Sequence, residues 1–234
     1  RVERARANNL CGSSPRKSPM SACKNLDLGF ARFATAAAMY EALRAVSADA
    51  EDSDFTVRHF TGVIEDMSSP EAALVETELF PRGAIEFYTK KNMGWEYAPE
   101  ESEKWQLAER GGAQGDYREG MPAKIANVVA CLRAEPRSKR AVIPIPFTGA
   151  GSETVDWTDA GQTKCCRELY FYVDPDGALC ATGVLRMQNA NIFPKNIHFF
   201  ATVMHTVAAE LQRPLGHYTH FIMHLCHDRN AVSC

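Results

Sequence analysis

Within residues 168–225 the hydrophobic period changes twice, and this stretch restricts the fold more than any other part of the chain. Residues 168–173 and 179–187 read as two strands, and the Asp174-Pro175-Asp176-Gly177 tetrapeptide between them has the proline and terminal glycine of a tight hairpin turn. Ile197, Phe200, Ala201, Met204, Val207, Ala208 and Leu211 then recur at helical spacing, predicting one long helix that ends near Pro214-Leu215-Gly216. Residues 218–225 read as another buried strand. A hairpin followed by a long apolar helix and a further strand predicts an α+β chain built on one mixed or antiparallel sheet.

The remaining elements are less regular. Residues 28–47 predict an amphipathic helix through Phe30, Phe33, Ala37, Tyr40 and Leu43. Residues 55–63 predict a strand with Phe55, Val57 and His59 on one face. Ser69-Pro70-Glu71 has the form of a helix start, with Ser69 as N-cap; that helix is interrupted at Pro81 and Gly83 and resumes from Ala84 to Tyr88. Residues 94–119 read mostly as loop. A helix over 123–134 follows, with Ile125, Val128, Val129 and Leu132 on one face, and then a strand over 141–145 whose Pro144 argues for an edge.

With 234 residues, 45% of them hydrophobic and 24% charged, the chain is long enough for one large domain with its own core. A net charge of -3 leaves no electrostatic footprint for a nucleic acid polymer, and no apolar run reaches the length of a membrane span. A small-molecule partner is the expectation. Eight cysteines without a C-x-x-C pair or regular spacing read as reduced thiols of a cytoplasmic protein. Residues 1–22 read as a polar arm ahead of a domain over 23–234, and a chain opening without Met reads as trimmed or incompletely represented.

Two residues carry the first chemical signal. Cys165 stands just before an alternating apolar strand, and Arg186 lies on the strand that follows. A guanidinium near a thiol favours the thiolate and is also the preferred partner of a phosphate, so the pair suits covalent chemistry on a phosphorylated substrate.

Pro136-Arg137-Ser138-Lys139-Arg140 precedes one strand, Cys165 the next, Arg186 lies on its hairpin partner, and Asn196-Ile197-His198-Phe199-Phe200-Ala201 opens a helix. In this order the chain resembles the thymidylate synthase superfamily. That family carries a Pro-x-Ser-Arg-Arg segment, a Pro-Cys-His run before Gln-Phe-Tyr-Val, a Gln-Arg-Ser-x-Asp strand and a Phe-Asn-Ile helix start. Counting back from Phe171-Tyr172-Val173 places Cys165, not Cys166, at the family's nucleophile. Glu86-Phe87-Tyr88-Thr89-Lys90-Lys91 and Lys104-Trp105-Gln106 look like the corresponding helix and loop of deoxycytidylate hydroxymethylases within the superfamily.

The resemblance implies a single thymidylate synthase-like domain with a mixed sheet flanked by helices, acting as a one-carbon transferase. Its implied reaction is hydroxymethylation at C5 of a pyrimidine nucleotide monophosphate, CMP or dCMP, from 5,10-methylenetetrahydrofolate and water, in a pathway such as modified-nucleoside biosynthesis. Cys165 would add to C6 of the ring, Tyr117 would order the water or base that removes the C5 proton, and Glu86 would be the general base. Arg186 and Arg58 would hold the phosphate, joined across a homodimer interface by Lys139 and Arg140 of the other subunit. Asn196 and Asn189 would meet the base, Trp105 the folate and His227 the ribose; no metal is implied. Without the family, Lys139-Arg140 reads as a solvated charge run, Asn196 as a helix N-cap and Trp105 as a core aromatic.

The chain departs from the family pattern at Cys166 for histidine, Tyr170 for glutamine, Met187 for serine and Asn189 for aspartate. A gapless count to the hydroxymethylases puts Ile197, not Asn196, at the base-reading position, and the family's C-terminal segment has no counterpart after Cys234. Two other activities therefore stay open: reductive methylation of dUMP by a thymidylate synthase, and nucleotide binding by a non-catalytic homologue. His217, His220 and His224 would lie near one face of a helix like zinc ligands, but Tyr218, Phe221, Ile222 and Leu225 read better as a strand.

Overall fold

The hairpin and the strand after the long helix meet in the middle of one sheet. The computed structural model describes residues 30–48, 56–110, 116–145 and 164–226. Strands β1 (Ala31–Phe33), β2 (Thr56–Ile64), β3 (Val142–Pro144), β4 (Cys166–Val173), β5 (Leu179–Leu185), β6 (Gln188–Asn189) and β7 (Leu215–Cys226) form a mixed seven-stranded sheet in the order β1-β2-β7-β5-β4-β3. The short β6 pairs with β7. Helices α1 (Ala36–Ala48), α2 (Arg82–Met93), α3 (Pro99–Trp105), α4 (Met121–Ala134) and α5 (Phe193–Leu211) flank it.

The β4–β5 turn closes as its composition requires, with Gly177 at φ 89° and the Asp174 carboxylate accepting from the Ala178 amide at 2.8 Å. The chain then crosses through α5 to β7, which lies parallel to β5, and β2 pairs antiparallel on the far side of β7. Helix α5 is buried over most of its length, which accounts for its broad apolar stripe. Phe193, Ile197, Phe200, Met204 and Val207 join Leu169 and Phe171 of β4, Leu185 of β5 and Tyr218 and Ile222 of β7 in the main core. At Gly183 the sheet leaves no room for a side chain, because a Cβ there would overlap the Tyr218 hydroxyl.

The predicted helix over 123–134 is observed as α4, with Pro122 in its first turn and Ile125, Val128, Val129 and Leu132 buried. The strand around Pro144 is the edge strand β3. Residues 218–225 form a strand rather than a helix, which places His217 and His220 on opposite sheet faces; among the described residues no cluster is placed to hold a metal.

Other expectations need correction. The first helix begins at Ala36, not at residue 28, because Ala31–Phe33 pair parallel with β2 and the Thr35 hydroxyl accepts from the Ala38 amide at 3.2 Å to start the helix. Its buried face is Ala36, Met39, Tyr40 and Leu43, while Phe30 and Ala37 are exposed. In β2, His59 is exposed with a left-handed φ of 58°, so Val57 and Phe60 rather than Val57 and His59 pack on the core; Phe55 lies outside the described residues. Ser69 accepts from the Ala72 amide as predicted, but the helix it starts is one 3-10 turn, Glu71–Ala73, and the chain is irregular until α2. The region 94–119 contains α3, started by Pro99 and by Glu101, whose carboxylate accepts from the Ala98 amide at 3.1 Å. Asn196 lies inside α5 and is not its N-cap. The predicted arm, 1–22, lies outside the described residues.

Candidate active site

The paired ends of β4 and β5 bring Cys165 and Arg186 together. The Arg186 amide donates to the Cys165 carbonyl at 2.9 Å, and its Nε donates to the Lys164 carbonyl at 3.2 Å. The ladder shifts register between Cys166 and Glu168, where the β4 backbone turns out of the regular pairing. Cys165 is half-buried; Cys166 is on the core side and wholly buried. Burial first, then the neighbouring Cys165, pushes the Cys166 thiol far above the ordinary range, so it stays protonated and inert. The two adjacent thiols are thus chemically different, and the accessible one is Cys165.

Tyr117 reaches the same place from the segment before α4. Its hydroxyl oxygen accepts from the Cys166 amide at 3.4 Å, and its own amide donates to the Asn92 side-chain oxygen of α2 at 2.9 Å. Burial holds the phenol well above its usual range, reinforced by Cys165 and Cys166, with Arg186 acting in the opposite direction. The phenol is therefore a neutral group. Because its oxygen accepts from an amide, its own proton is available to a water or ligand.

Gln188 organises the base-reading candidates. Asn196 Nδ2 donates to Gln188 Oε1 at 2.9 Å, leaving its oxygen as the amide atom that Gln188 does not use. Asn189 caps the 3-10 turn Ala190–Ile192, its Oδ1 accepting from the Asn191 amide at 2.8 Å, while its buried Nδ2 has no partner among the described residues. An orphaned buried donor is costly unless a ligand or water completes it.

The face of α2 toward α5 carries Tyr88 and Lys91, two residues the sequence reading did not select. Lys195, from the first turn of α5, donates to the Arg110 carbonyl and lies 4.5 Å from the Tyr88 ring centre. Among the described residues the buried Tyr88 hydroxyl has no partner. Lys91 donates to Gln106 at 2.9 Å and lies 3.6 Å from Asp116; burial lowers its pKa. Trp105 packs on Gly83, where a Cβ would meet its ring at 2.8 Å, and the Arg110 guanidinium lies 5.5 Å over that ring. A chain of contacts thus runs from Trp105 through Arg110 and Lys195 to Tyr88.

Other predicted residues stand elsewhere. Glu86 is on the solvent side of α2, its side chain 47% exposed and 3.7 Å from Arg82, because Ala84, Ile85, Phe87 and Tyr88 occupy the buried sides of the helix. This placement gives it no contact with the Cys165 cluster among the described residues. Arg58 is exposed on β2 opposite His224, and Lys139 and Arg140 are exposed ahead of β3. His227 lies outside the described residues. A separate groove of about 410 Å³ between α2, α4 and α5, lined by Met93, Trp95, Ile125 and Val129, contains none of the predicted site residues. Among the described residues no helix is long and apolar enough to cross a membrane.

The chain matches no protein-family model and no curated protein.

Proposed function

We propose that this protein transfers a hydroxymethyl group to C5 of a cytidine monophosphate, CMP or dCMP, on a thymidylate synthase-like fold, with 5,10-methylenetetrahydrofolate as carbon donor and water as oxygen source. The observation that carries the reading is the meeting of Cys165, Arg186 and the buried Tyr117 at one end of the β4–β5 hairpin. Nucleophile, phosphate-binding cation and proton donor are the three groups that covalent activation of a pyrimidine nucleotide requires.

Cys165 adds as thiolate to C6; the S–C6 bond forms as the C5–C6 π pair moves into the ring, leaving C5 nucleophilic. Arg186 holds the phosphate and so fixes C6 over the sulfur. Tyr117 keeps a proton and orders the water that exchanges protons at C5. Asn189 Nδ2 offers a donor and Asn196 Oδ1 an acceptor, which match N3 and the 4-amino group of cytosine.

The residues beyond this cluster fit a folate. Trp105 offers an aromatic face, and the buried Tyr88 hydroxyl is a polar atom that a ring with polar edges would satisfy. When bound, the folate supplies one carbon at the oxidation level of formaldehyde. The chain's own part is to activate C5 and admit water.

A homodimer belongs to this reading. Tyr170, Tyr172 and Met223 are exposed on one face of the sheet, and Lys139 and Arg140 are exposed beside its β3 edge, so a second copy on that face would cover apolar surface and bring cations to a neighbouring phosphate. A cytoplasmic location follows from the nucleotide and folate it would use.

Tritium release from C5-labelled CMP, dCMP, UMP and dUMP in the presence of methylenetetrahydrofolate tests the activity. Release from the cytidine nucleotides without dihydrofolate is expected. Release from none overturns the enzyme reading, and dihydrofolate formed from dUMP assigns the reductive thymidylate reaction instead.

A further inference from the structure

Gln188 and Asn189 of β6 and Asn196 in the first turn of α5 are buried amides whose orientations are linked. An amide side chain has two ends of nearly equal shape and opposite chemistry, a donor and an acceptor. In a buried site, the end that faces a ligand is decided by what holds the other end.

The order starts at a backbone carbonyl. The Asn189 carbonyl can only accept, so the Gln188 atom 2.6 Å from it is Nε2. Gln188 Oε1 is therefore the end that meets Asn196, and it too can only accept; the Asn196 atom 2.9 Å from it is Nδ2. Asn196 is left with Oδ1 as the end that Gln188 does not use. A backbone amide sets Asn189 in the same way. The Asn191 N–H donates to Asn189 Oδ1 at 2.8 Å, which leaves Nδ2 as the buried donor without a partner among the described residues.

We infer that Gln188 is a positioning residue that makes the base site select cytosine over uracil, by holding Asn196 with its oxygen free for the ligand. This role rests on the reading that Asn196 and Asn189 meet the base. The 4-amino group of cytosine donates and its N3 accepts, matching Asn196 Oδ1 and Asn189 Nδ2. Uracil presents an acceptor at O4 and a donor at N3, and opposes both. An asparagine free to turn over would offer Nδ2 to O4 as readily as Oδ1 to the amino group. At position 196 the preference thus comes from the Asn189 carbonyl, passed on through Gln188.

CMP and UMP differ only at this edge, so phosphate and ribose contributions cancel in the ratio of their dissociation constants. Isothermal titration at neutral pH gives that ratio for the wild-type chain, Gln188→Met, Gln188→Ala, and Gln188→Met combined with Asn196→Asp. The wild type is expected to favour CMP by about 100-fold, two matched hydrogen bonds against two opposed ones. In the single variants the preference is expected to fall about tenfold, the share of the Asn196 contact, through tighter UMP binding as well as weaker CMP binding. Loosening of the site alone would weaken both ligands. The double variant, whose carboxylate offers an oxygen whichever way it turns, is expected to regain the preference for CMP. A wild type that binds the two equally, or binds neither, overturns the proposal. So does an unchanged ratio in whichever single variant keeps a cooperative thermal transition, or a double variant no more selective than Gln188→Met, which would make the effect one of packing. The tritium assay fails separately: binding without release ends the enzyme reading and leaves the ratio measurable, whereas release with an unchanged ratio ends only the role of Gln188.

Discussion

The Arg186 amide donates to the Cys165 carbonyl at 2.9 Å, so the guanidinium and the thiol stand on backbones joined across adjacent strands. The bond uses no side-chain atom, and the two residues can be altered without breaking it. Arg186→Gln keeps the backbone contact and removes the charge. It is expected to weaken CMP binding about 10- to 100-fold, the worth of one or two charge-assisted bonds, with little change in thermal stability. Isothermal titration with CMP and with cytidine separates the cases: loss for CMP alone supports a phosphate site, and equal affinity of wild type and variant for CMP contradicts it.

Tyr117→Phe removes the acceptor of the Cys166 amide and the proton offered to the site. The expected stability loss is about 1 to 2 kcal/mol in urea unfolding. Tritium release should fall about 100-fold or more if the hydroxyl serves the C5 proton transfer. A stability change with unaltered release would reduce Tyr117 to a structural support for the start of β4.

His198 and His220 are buried bases whose desolvation draws their pKa values down to about 4 and about 3. Folded, they stay neutral where the unfolded chain takes up protons, at and below about pH 6.5, so stability is complete above that pH and declines as pH falls toward 4. His198, in a buried hydrogen bond with Thr89 at 2.7 Å, accounts for roughly 3 kcal/mol of that decline. His198→Gln should therefore lose less stability than the wild type between pH 7 and 4, measured by urea midpoints. Parallel curves for the two proteins would contradict the assignment.

The hairpin, α4, α5 and the edge position of β3 were legible because each rests on a periodicity or turn signal contained within its own segment. Strand β1 was not, since three residues become a strand only by pairing with β2, more than twenty positions away. Helix α3 has no apolar stripe, and its signals were Pro99 and the acidic first turn. Within the candidate site, motif order singles out Cys165 and Arg186 and the family resemblance adds Tyr117, three residues that the fold brings to one end of the hairpin; Glu86 was taken as a carboxylate on the matching helix, and the packing of Ala84, Ile85, Phe87 and Tyr88 fixes a helix phase that turns it to solvent. Lys195 has no motif. Its one sequence cue is a lysine between Pro194 and Asn196 at the head of an apolar helix, and its burial follows only when the Tyr88 ring of α2 and the Arg110 carbonyl close around it.

The central claim is that Cys165 bonds to C6 of a pyrimidine nucleotide. A fluorine at C5 cannot leave as the proton does, so 5-fluoro-CMP or 5-fluoro-dCMP with methylenetetrahydrofolate should arrest the protein as a covalent adduct. Intact-protein mass spectrometry of the denatured mixture is predicted to show the chain plus nucleotide and folate, with the modification at Cys165 in the fragment spectrum and none in Cys165→Ala. An unmodified mass at saturating ligand, or an adduct that survives Cys165→Ala, would contradict the account.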